Sequence, residues 1–161
     1  MTQNCYPVVV GGNTCVQCDA VTGVVGVPEQ TIIEPIYGWN ASARSSVSQA
    51  GDCYVEFDSP YSAGVVVGFA PVRIDSNPAN VPFGFYLYEA VGAFWYAVAE
   101  AGVLKTTPVK RSNDTDMFRI ERVNGAVFYY AAGRLIYKSL SQTKEALYVV
   151  ACLYASNDGV G

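Results

Sequence analysis

The sequence predicts an all-β fold of antiparallel strands, and three observations lead to this prediction. Hydrophobic residues make up 51% of the 161 residues and charged residues only 15%, with 15 glycines and 8 prolines. This composition suits short strands joined by tight turns better than long amphipathic helices. Apolar and polar residues alternate in several runs, as in MFRIERV (117–123). The links between runs are too short for the helical crossovers that parallel strands need.

The chain divides at about residue 35. Residues 36–161 hold the regular strand pattern and are predicted to form one domain. A compact fold of all 161 residues would bury roughly 70% of its unfolded surface and needs no disulfide or metal to be stable. Residues 1–35 are rich in valine and glycine, nearly uncharged and poor in bulky side chains. They are predicted to be a docking arm of short strands that lies either on its own domain or on a partner subunit.

Strands are expected along the whole domain, and so many strands require two stacked sheets or a barrel. Only 141–147 has a pattern that allows a helical turn. The valine-rich run GVVVGF (64–69) is predicted to be an exposed edge strand, which the arm would cover in the same subunit or in a neighbour, so a homo-oligomer is expected. The predicted strands are 36–40, 43–48, 53–58, 64–70, 83–89, 93–99, 102–107, 116–123, 126–131, 134–138 and 146–154.

The clearest ribbon in the sequence is 117–139. Phe118 and Ile120 alternate with Arg119 and Glu121, which predicts one buried and one solvated face. Asn124-Gly125 and Ala132-Gly133 then mark two hairpin turns. Arg122 falls in phase with the buried residues, and its guanidinium is expected to reach the rim of the sheet.

The charge distribution, the hydrophobicity and the N-terminal residues argue against nucleic-acid binding, membrane insertion and secretion through a signal peptide. The net charge is −4, the pI is about 4.7, and the ten lysines and arginines are scattered, so no nucleic-acid partner is expected. No apolar run is long enough for membrane insertion, and the N-terminus lacks the basic and apolar regions of a signal peptide. Five cysteines, an odd number, argue against a fully paired secreted scaffold and favour synthesis in a reducing compartment.

Residues 36–158 resemble a known family through an ordered set of strand motifs. These are GWNASARS (38–45), GDCYVEFDSP (51–60), VVVGFA (65–70), GFYLYE (84–89), DMFRIERVNGAVFYYAAGRLIYKS (116–139) and LYVVACLY (147–154). Together they resemble the concanavalin A-like lectin/glucanase jelly roll of the type found in bacteriophage tail and fibre proteins and in bacterial surface proteins.

That resemblance implies an antiparallel β-sandwich of the jelly-roll type that often holds carbohydrate on a concave face or in rim loops. It also implies a virion component, of the tail fibre or baseplate type, assembled in the host cytoplasm. The arm would then contact other virion subunits, and the domain would recognise host-surface glycan. A purely structural or decoration protein and a glycan-cleaving enzyme are the alternatives.

The catalytic groups that such an enzyme would need are incomplete, so no enzymatic activity is predicted. The chain has no histidine, which excludes Ser-His-Asp and Cys-His nucleophile systems. Glu56 and Asp58 begin the Glu-x-Asp-x-x-Glu pattern of the resembling glucanases, but Tyr61 stands where the acid is needed. Glu89 and Glu100 are interpreted as two exposed acids at opposite ends of one ribbon.

Metal and cofactor signals are weak, and none is predicted. Cys15 and Cys18 form a CxxC that with Cys5 offers three thiolates, one fewer than a structural zinc site normally has. Two loops carry oxygen ligands suited to calcium, and turns that cap their own backbones explain them equally well. The weak calcium candidates are Asp75, Asn77, Asp114 and Asp116.

Aromatic side chains are the best positive indication of function. Tyrosine and tryptophan rings offer apolar area with a polar group, and sugars stack on such surfaces. The candidate carbohydrate-binding residues are Tyr86, Tyr88, Trp95 and Tyr130. The alternative is that these rings fill the core, which is where Trp39 is expected.

Overall fold

Thirteen strands and one short 3₁₀ turn (Pro78–Asn80) make up the part of the chain that the structure describes. The structure is a computed structural model, and it describes residues 5–10, 13–18, 39, 41–59, 64–72, 76–112 and 117–154. The predicted boundary at residue 35 lies outside this set, as does all of the predicted strand 36–40 except Trp39. The strands are β1 (Cys5–Val10), β2 (Asn13–Cys18), β3 (Ala41–Ser45), β4 (Cys53–Phe57), β5 (Gly64–Ala70), β6 (Phe83–Ala90), β7 (Ala93–Glu100), β8 (Val103–Leu104), β9 (Val109–Lys110), β10 (Phe118–Val123), β11 (Ala126–Ala131), β12 (Arg134–Gln142) and β13 (Tyr148–Leu153).

The strands form two antiparallel sheets that pack as a sandwich, so the predicted fold class is confirmed. The larger sheet has the order β1-β2-β3-β13-β5-β6-β7-β8, and β9 also pairs with β7. The smaller sheet has the order β12-β11-β10-β4. The segment 141–147, for which a helical turn was considered, is not helical, because β12 continues to Gln142 and pairs there with Ala126.

The main core lies between the two sheets and is built from the inward residues of each. Phe118 and Ile120 are fully buried, as the alternation in β10 predicts. Phe118 stacks on Phe57 with ring centroids 5.7 Å apart, and Phe85 of the larger sheet meets it at 5.1 Å. These contacts join β4, β6 and β10 across the sandwich.

The larger sheet is also buried on its outer face, which makes it hydrophobic on both sides. Within β5 every residue is buried, because odd and even positions face different clusters. The strand lies between β13 and β6, so the prediction that it forms an exposed edge is wrong. A strand buried on both faces reads as a continuous apolar run, and its sequence does not show whether it is central.

The N-terminal hairpin extends the larger sheet of its own domain. β1 pairs with β2, and β2 pairs with β3 through partners that include Val16 and Arg44. The arm strands therefore continue the sheet beside β3 rather than beside β5. Among the described strands β1 has no neighbour on its other side.

Among the described residues, four tight turns each contain two consecutive residues with positive φ. The predicted Asn124-Gly125 turn has φ of 50° and 85°, the values of a type I′ hairpin. The turn between β6 and β7 places Val91 at φ 53° before a glycine. A β-branched residue is strained in this region, and Val91 is also fully exposed.

Arg122 is buried, although the sequence predicted that its guanidinium would reach the rim of the sheet. Its guanidinium does not reach the rim: only 1% of the residue is exposed. Instead Nε donates to the carbonyl of Gly51 at 2.7 Å, and Nη2 donates to that of Gln49 at 2.9 Å. Nη1 donates to the carbonyl of Glu145. The buried charge thus fastens two loops to β10.

A search of the described helical segments finds none that is long and apolar enough to cross a membrane.

Candidate carbohydrate-binding site

Three of the four predicted aromatic residues meet on the outer face of the larger sheet. Tyr86 and Tyr88 lie on β6 and stack with ring centroids 4.5 Å apart and an interplanar angle of 18°. Trp95 is the cross-strand partner of Tyr88, and its Nε1–H donates to the carbonyl of Ala90 at 3.1 Å. Tyr130 lies on β11 of the smaller sheet, so the four residues do not form one site.

The stacked tyrosines are core residues in this structure. Tyr86 is 3% exposed and Tyr88 is 5% exposed, and burial raises the pKa of Tyr88. Trp39 packs on Tyr86, with its ring centroid 6.1 Å from that of Tyr86 and 5.4 Å from that of Tyr154. Trp39 is buried as expected, but in this outer cluster rather than between the sheets. Neither of these two tyrosines offers an open face to a sugar ring, which corrects the assignment of Tyr86 and Tyr88 as accessible binding residues.

Tyr130 belongs to a different and open surface, the outer face of the smaller sheet, called the small-sheet face below. Alternation along β4, β10 and β11 sends one set of residues inward and leaves the other set on this face. The strand register places Glu56 and Tyr130 on either side of Arg119, because Arg119 is the cross-strand partner of Glu56 on β4 and of Tyr130 on β11. The small-sheet face consists of Tyr54, Glu56, Arg119, Glu121, Phe128 and Tyr130.

Arg119 organises the small-sheet face. Its Nη1 lies 3.2 Å from Oε1 of Glu56, and its Nη2 lies 2.6 Å from Oε1 of Glu121. The same guanidinium lies over the Tyr54 ring, 4.0 Å from the ring centroid. One planar cation is therefore held by two carboxylates and one aromatic ring, an arrangement that fixes its orientation.

The aromatic rings of this face differ from those of the larger sheet in their exposure. Tyr54 is 50% exposed, and Tyr130 is partly buried beside Glu121. Burial, followed by the charge of Glu121 and its hydrogen bond, raises the pKa of Tyr130. Lys138 of β12 lies over the Phe128 ring at 5.5 Å. The face thus combines exposed ring area with hydroxyl and carboxylate groups, and Arg119 together with the adjoining Lys138 balances its two carboxylates.

The carboxylates considered for catalysis are divided between the two sheets: Glu56 and Asp58 are two positions apart at the end of β4, and Glu89 and Glu100 lie on the β6–β7 ribbon. Glu56 is engaged in the ion pair with Arg119, and Asp58 follows the end of β4. Glu89 is exposed near one end of the β6–β7 ribbon, and Glu100 lies at the other end. Glu100 is not exposed as expected but buried at 7%, where it accepts a hydrogen bond from the Tyr129 hydroxyl at 3.0 Å.

The metal candidates acquire no support from the described residues. Asn77 caps the 3₁₀ turn, and its Oδ1 accepts from the Ala79 amide at 3.0 Å, as a backbone-capping turn requires. Asp75, Asp114 and Asp116 lie outside the described residues. Within the described part no cluster of three or more metal-ligating side chains occurs.

Tyr54 and Phe128 are the residues of the small-sheet face that sequence reasoning missed. The alternation in CYVEF places Tyr54 and Glu56 on the same side of β4, so a signal was present. What the sequence did not show is that β4, which lies far from β10 in the chain, pairs beside it. The predicted solvated positions of Arg119 and Glu121 are confirmed.

Comparison with known proteins identifies relatives of the fold. Neither a protein-family model nor a curated protein matches the chain. Among solved structures, the TRIM65 PSpry domain has a TM-score of 0.51 at 15% identity, covering 91% of this chain and 77% of that one. A functionally unknown protein from Saccharomyces cerevisiae has a TM-score of 0.50 at 12% identity, covering 96% and 85%.

A Bacillus licheniformis beta-glucanase also matches, with a TM-score of 0.41 at 13% identity, covering 88% of this chain and 66% of that chain. At these identities the comparisons establish the sandwich fold alone. An activity does not follow from a shared fold, because unrelated functions use the same sandwich.

Proposed function

We propose that the chain binds carbohydrate through the small-sheet face, as the host-surface recognition module of a bacteriophage virion component of the tail fibre or baseplate type. The observation that carries the binding proposal is the half-exposed Tyr54 ring packed against the Arg119 guanidinium, with a carboxylate on either side. Sugar rings have apolar C–H faces that stack on tyrosine and hydroxyl edges that bond to planar polar groups.

The small-sheet face supplies both kinds of contact without needing to reorganise. Arg119 is held by Glu56 and Glu121 before any ligand arrives, so little side-chain freedom is lost on binding. Each of these ion pairs engages one carboxylate oxygen; the second oxygen of Glu56 can accept from sugar hydroxyls, while Glu121 also forms a hydrogen bond with Tyr130.

The charge balance of the face favours a neutral saccharide. Arg119 and Lys138 offset Glu56 and Glu121, so the face has no net positive charge to attract acidic sugars. A shallow, open face of this kind binds a single sugar weakly. Several copies on one particle would raise overall affinity by about 10² to 10⁴ when geometry permits.

The virion assignment is supported by the resemblance of the strand motifs and by the position of the arm. The arm hairpin continues the larger sheet, and β1 is the last strand of that sheet among the described residues. An edge strand offers backbone donors and acceptors to another chain, so this edge suits contact with other virion subunits or with a second copy.

A purely structural role is the second candidate, and the burial of Tyr86 and Tyr88 favours it. If the sandwich uses its aromatic residues only for packing, β1 alone would connect the protein to its partners. A glycan-cleaving enzyme is the third candidate, and the separation of Glu89 from Glu100 gives it no support from the described residues.

The test is a saccharide-binding screen with matched variants. Arg119→Ala removes the cation packed on Tyr54, and Arg44→Ala removes the comparable cation packed on Tyr148 of the larger sheet, 4.4 Å from that ring. Neutral and acidic bacterial surface polysaccharides are titrated against both variants and the unaltered chain. The proposal expects binding of a neutral polysaccharide that Arg119→Ala abolishes and Arg44→Ala retains.

Other outcomes select the alternatives. If no polysaccharide binds and the chain still assembles into particles, the structural role is favoured. If reducing ends are released from a polysaccharide, the protein is an enzyme. Loss of binding with Arg44→Ala but not with Arg119→Ala would place the site on the larger sheet and contradict the proposal.

A further inference from the structure

The register of the arm hairpin brings two cysteines opposite each other. β1 ends at Val10 and β2 begins at Asn13, so two residues form the loop. Val10 and Asn13 are partners next to that loop, and at the far end of the hairpin Cys5 is the partner of Cys18. The sequence alone left these thiols as a possible part of a zinc site.

The hydrogen-bonding pattern of the hairpin follows from its loop. In a two-residue hairpin the pair that closes the loop is hydrogen-bonded, and bonded and non-bonded pairs then alternate along the ribbon. Counting outward from Val10 and Asn13 makes Cys5 and Cys18 a non-hydrogen-bonded pair.

Pro7 gives an independent check on this count. The same alternation assigns Pro7 and its partner Val16 to a non-hydrogen-bonded pair. Proline has no N–H to donate across the ribbon, and it is tolerated where the nitrogen faces the free edge of a sheet. β1 is at such an edge among the described strands, so the position of Pro7 agrees with the assigned register.

The backbone separation at this position suits a disulfide. Partners in a non-hydrogen-bonded antiparallel pair have Cα atoms about 4.5 Å apart, inside the range of about 4.4 to 6.8 Å that disulfides span. Cys15 has Val8 and Ser45 as its cross-strand partners, so register offers it no cysteine. Cys15 and Cys18 are three positions apart in one strand, which assigns them to opposite faces of the ribbon.

We propose that Cys5 and Cys18 form a cross-strand disulfide that closes the open end of the arm hairpin. With glutathione disulfide as the oxidant, one cysteine thiolate attacks a glutathione sulfur and releases the first glutathione thiolate. The second cysteine thiolate attacks the mixed disulfide and releases the second. The two cysteine sulfurs lose two electrons in total, and glutathione disulfide gains them.

The consequence is an arm that keeps its edge strand in place. An isolated two-stranded hairpin is marginal in water, and in the described sheet this one joins the domain through the pairing of β2 with β3. A link at the end opposite the loop prevents β1 from separating and removes chain entropy from the opened state. The inference does not depend on carbohydrate binding.

Differential thiol labelling of the full-length chain tests this pairing. The reduced native protein is incubated with glutathione disulfide, and remaining thiols are blocked with iodoacetamide. Disulfides are then reduced and labelled with N-ethylmaleimide. The chain has no lysine or arginine before Arg44, so trypsin releases Met1–Arg44 as one fragment carrying Cys5, Cys15 and Cys18, and tandem mass spectrometry locates each label.

The expected result is maleimide on Cys5 and Cys18 and iodoacetamide on Cys15, with the same pairing in a Cys15→Ser variant. The same treatment of the urea-unfolded chain is expected to give a mixture of pairings, which would show that register selects the native pair. Maleimide on Cys15 as a member of the dominant pair, or iodoacetamide on all three cysteines, would overturn the proposal. Circular dichroism of a Cys18→Ser variant checks that the domain folds without the link.

Discussion

The guanidinium of Arg119 lies 4.0 Å from the centre of the Tyr54 ring, although the two residues are 65 positions apart in the chain. Pairing of β4 beside β10 produces this contact, because Glu121 is the direct partner of Tyr54 and Arg119 sits two residues earlier on the same face. A surface with both stacking and hydrogen-bonding groups results.

Tyr54→Ala and Tyr86→Ala are expected to affect different properties. Tyr54→Ala removes a half-exposed ring and should lower the free energy of unfolding by about 1 kcal/mol or less while abolishing saccharide binding. Tyr86→Ala leaves a cavity in a buried cluster and should cost about 3 to 5 kcal/mol. Urea denaturation and polysaccharide titration measure the two effects.

Comparing saccharide binding by Tyr54→Ala and Tyr86→Ala also tests which sheet carries the binding site. Loss of binding by a Tyr86→Ala chain that still folds, together with unchanged binding by Tyr54→Ala, would show that the sugar uses the larger sheet.

Arg122→Ala is expected to destabilise the fold strongly. The substitution removes the donors to three backbone carbonyls and leaves a space in a buried region, at a cost of at least about 3 kcal/mol. Arg119→Ala on the same strand is the matched control: its ion pairs are partly exposed, and the expected loss is about 1 kcal/mol or less. Equal losses of unfolding free energy in urea would mean that the buried guanidinium has no special structural role.

Stability is expected to fall at alkaline pH, in part through Tyr129. Burial, followed by the negative charge of Glu100, raises the pKa of Tyr129 above its ordinary value of 10.0. The folded state then holds a proton that the unfolded state releases, so this contribution is complete below pH 10 and is lost as the pH rises further.

Replacing Tyr129 with phenylalanine removes the titrating hydroxyl and should make the decline in unfolding free energy above pH 10 shallower. At neutral pH the variant should be less stable by about 1 to 3 kcal/mol, because Glu100 loses its hydrogen-bond donor. Urea denaturation over a pH series measures both quantities. An identical decline in the two proteins would show that Tyr129 does not supply the alkaline sensitivity.

Val91→Asn is expected to stabilise the protein. Val91 has φ 53° in an exposed turn, a conformation that asparagine adopts more readily than a β-branched residue, and the gain should be about 1 kcal/mol. Val72→Asn replaces another exposed valine that lacks a positive φ and should change the melting temperature little. No difference between the two variants in thermal unfolding would argue against strain at Val91.

Strand content, most strand boundaries and the two faces of each regular strand could be predicted from the amino-acid sequence. Side chains alternate along a strand, so Phe118 and Ile120 were assigned inward and Arg119 and Glu121 outward without knowledge of any partner. Asn124-Gly125 likewise fixed a turn, because few residue pairs tolerate two consecutive positive φ values.

Which outward faces are covered could not be predicted without the three-dimensional packing of the two sheets. Tyr86 and Tyr130 both occupy faces that point away from the main core, yet Trp39 covers the first and the second remains on an open sheet. Strand periodicity separates two faces but does not say what packs on either. That depends on strand order and on contacts between residues distant in the chain, which also explains why Arg122 is buried and why Tyr54 meets Arg119.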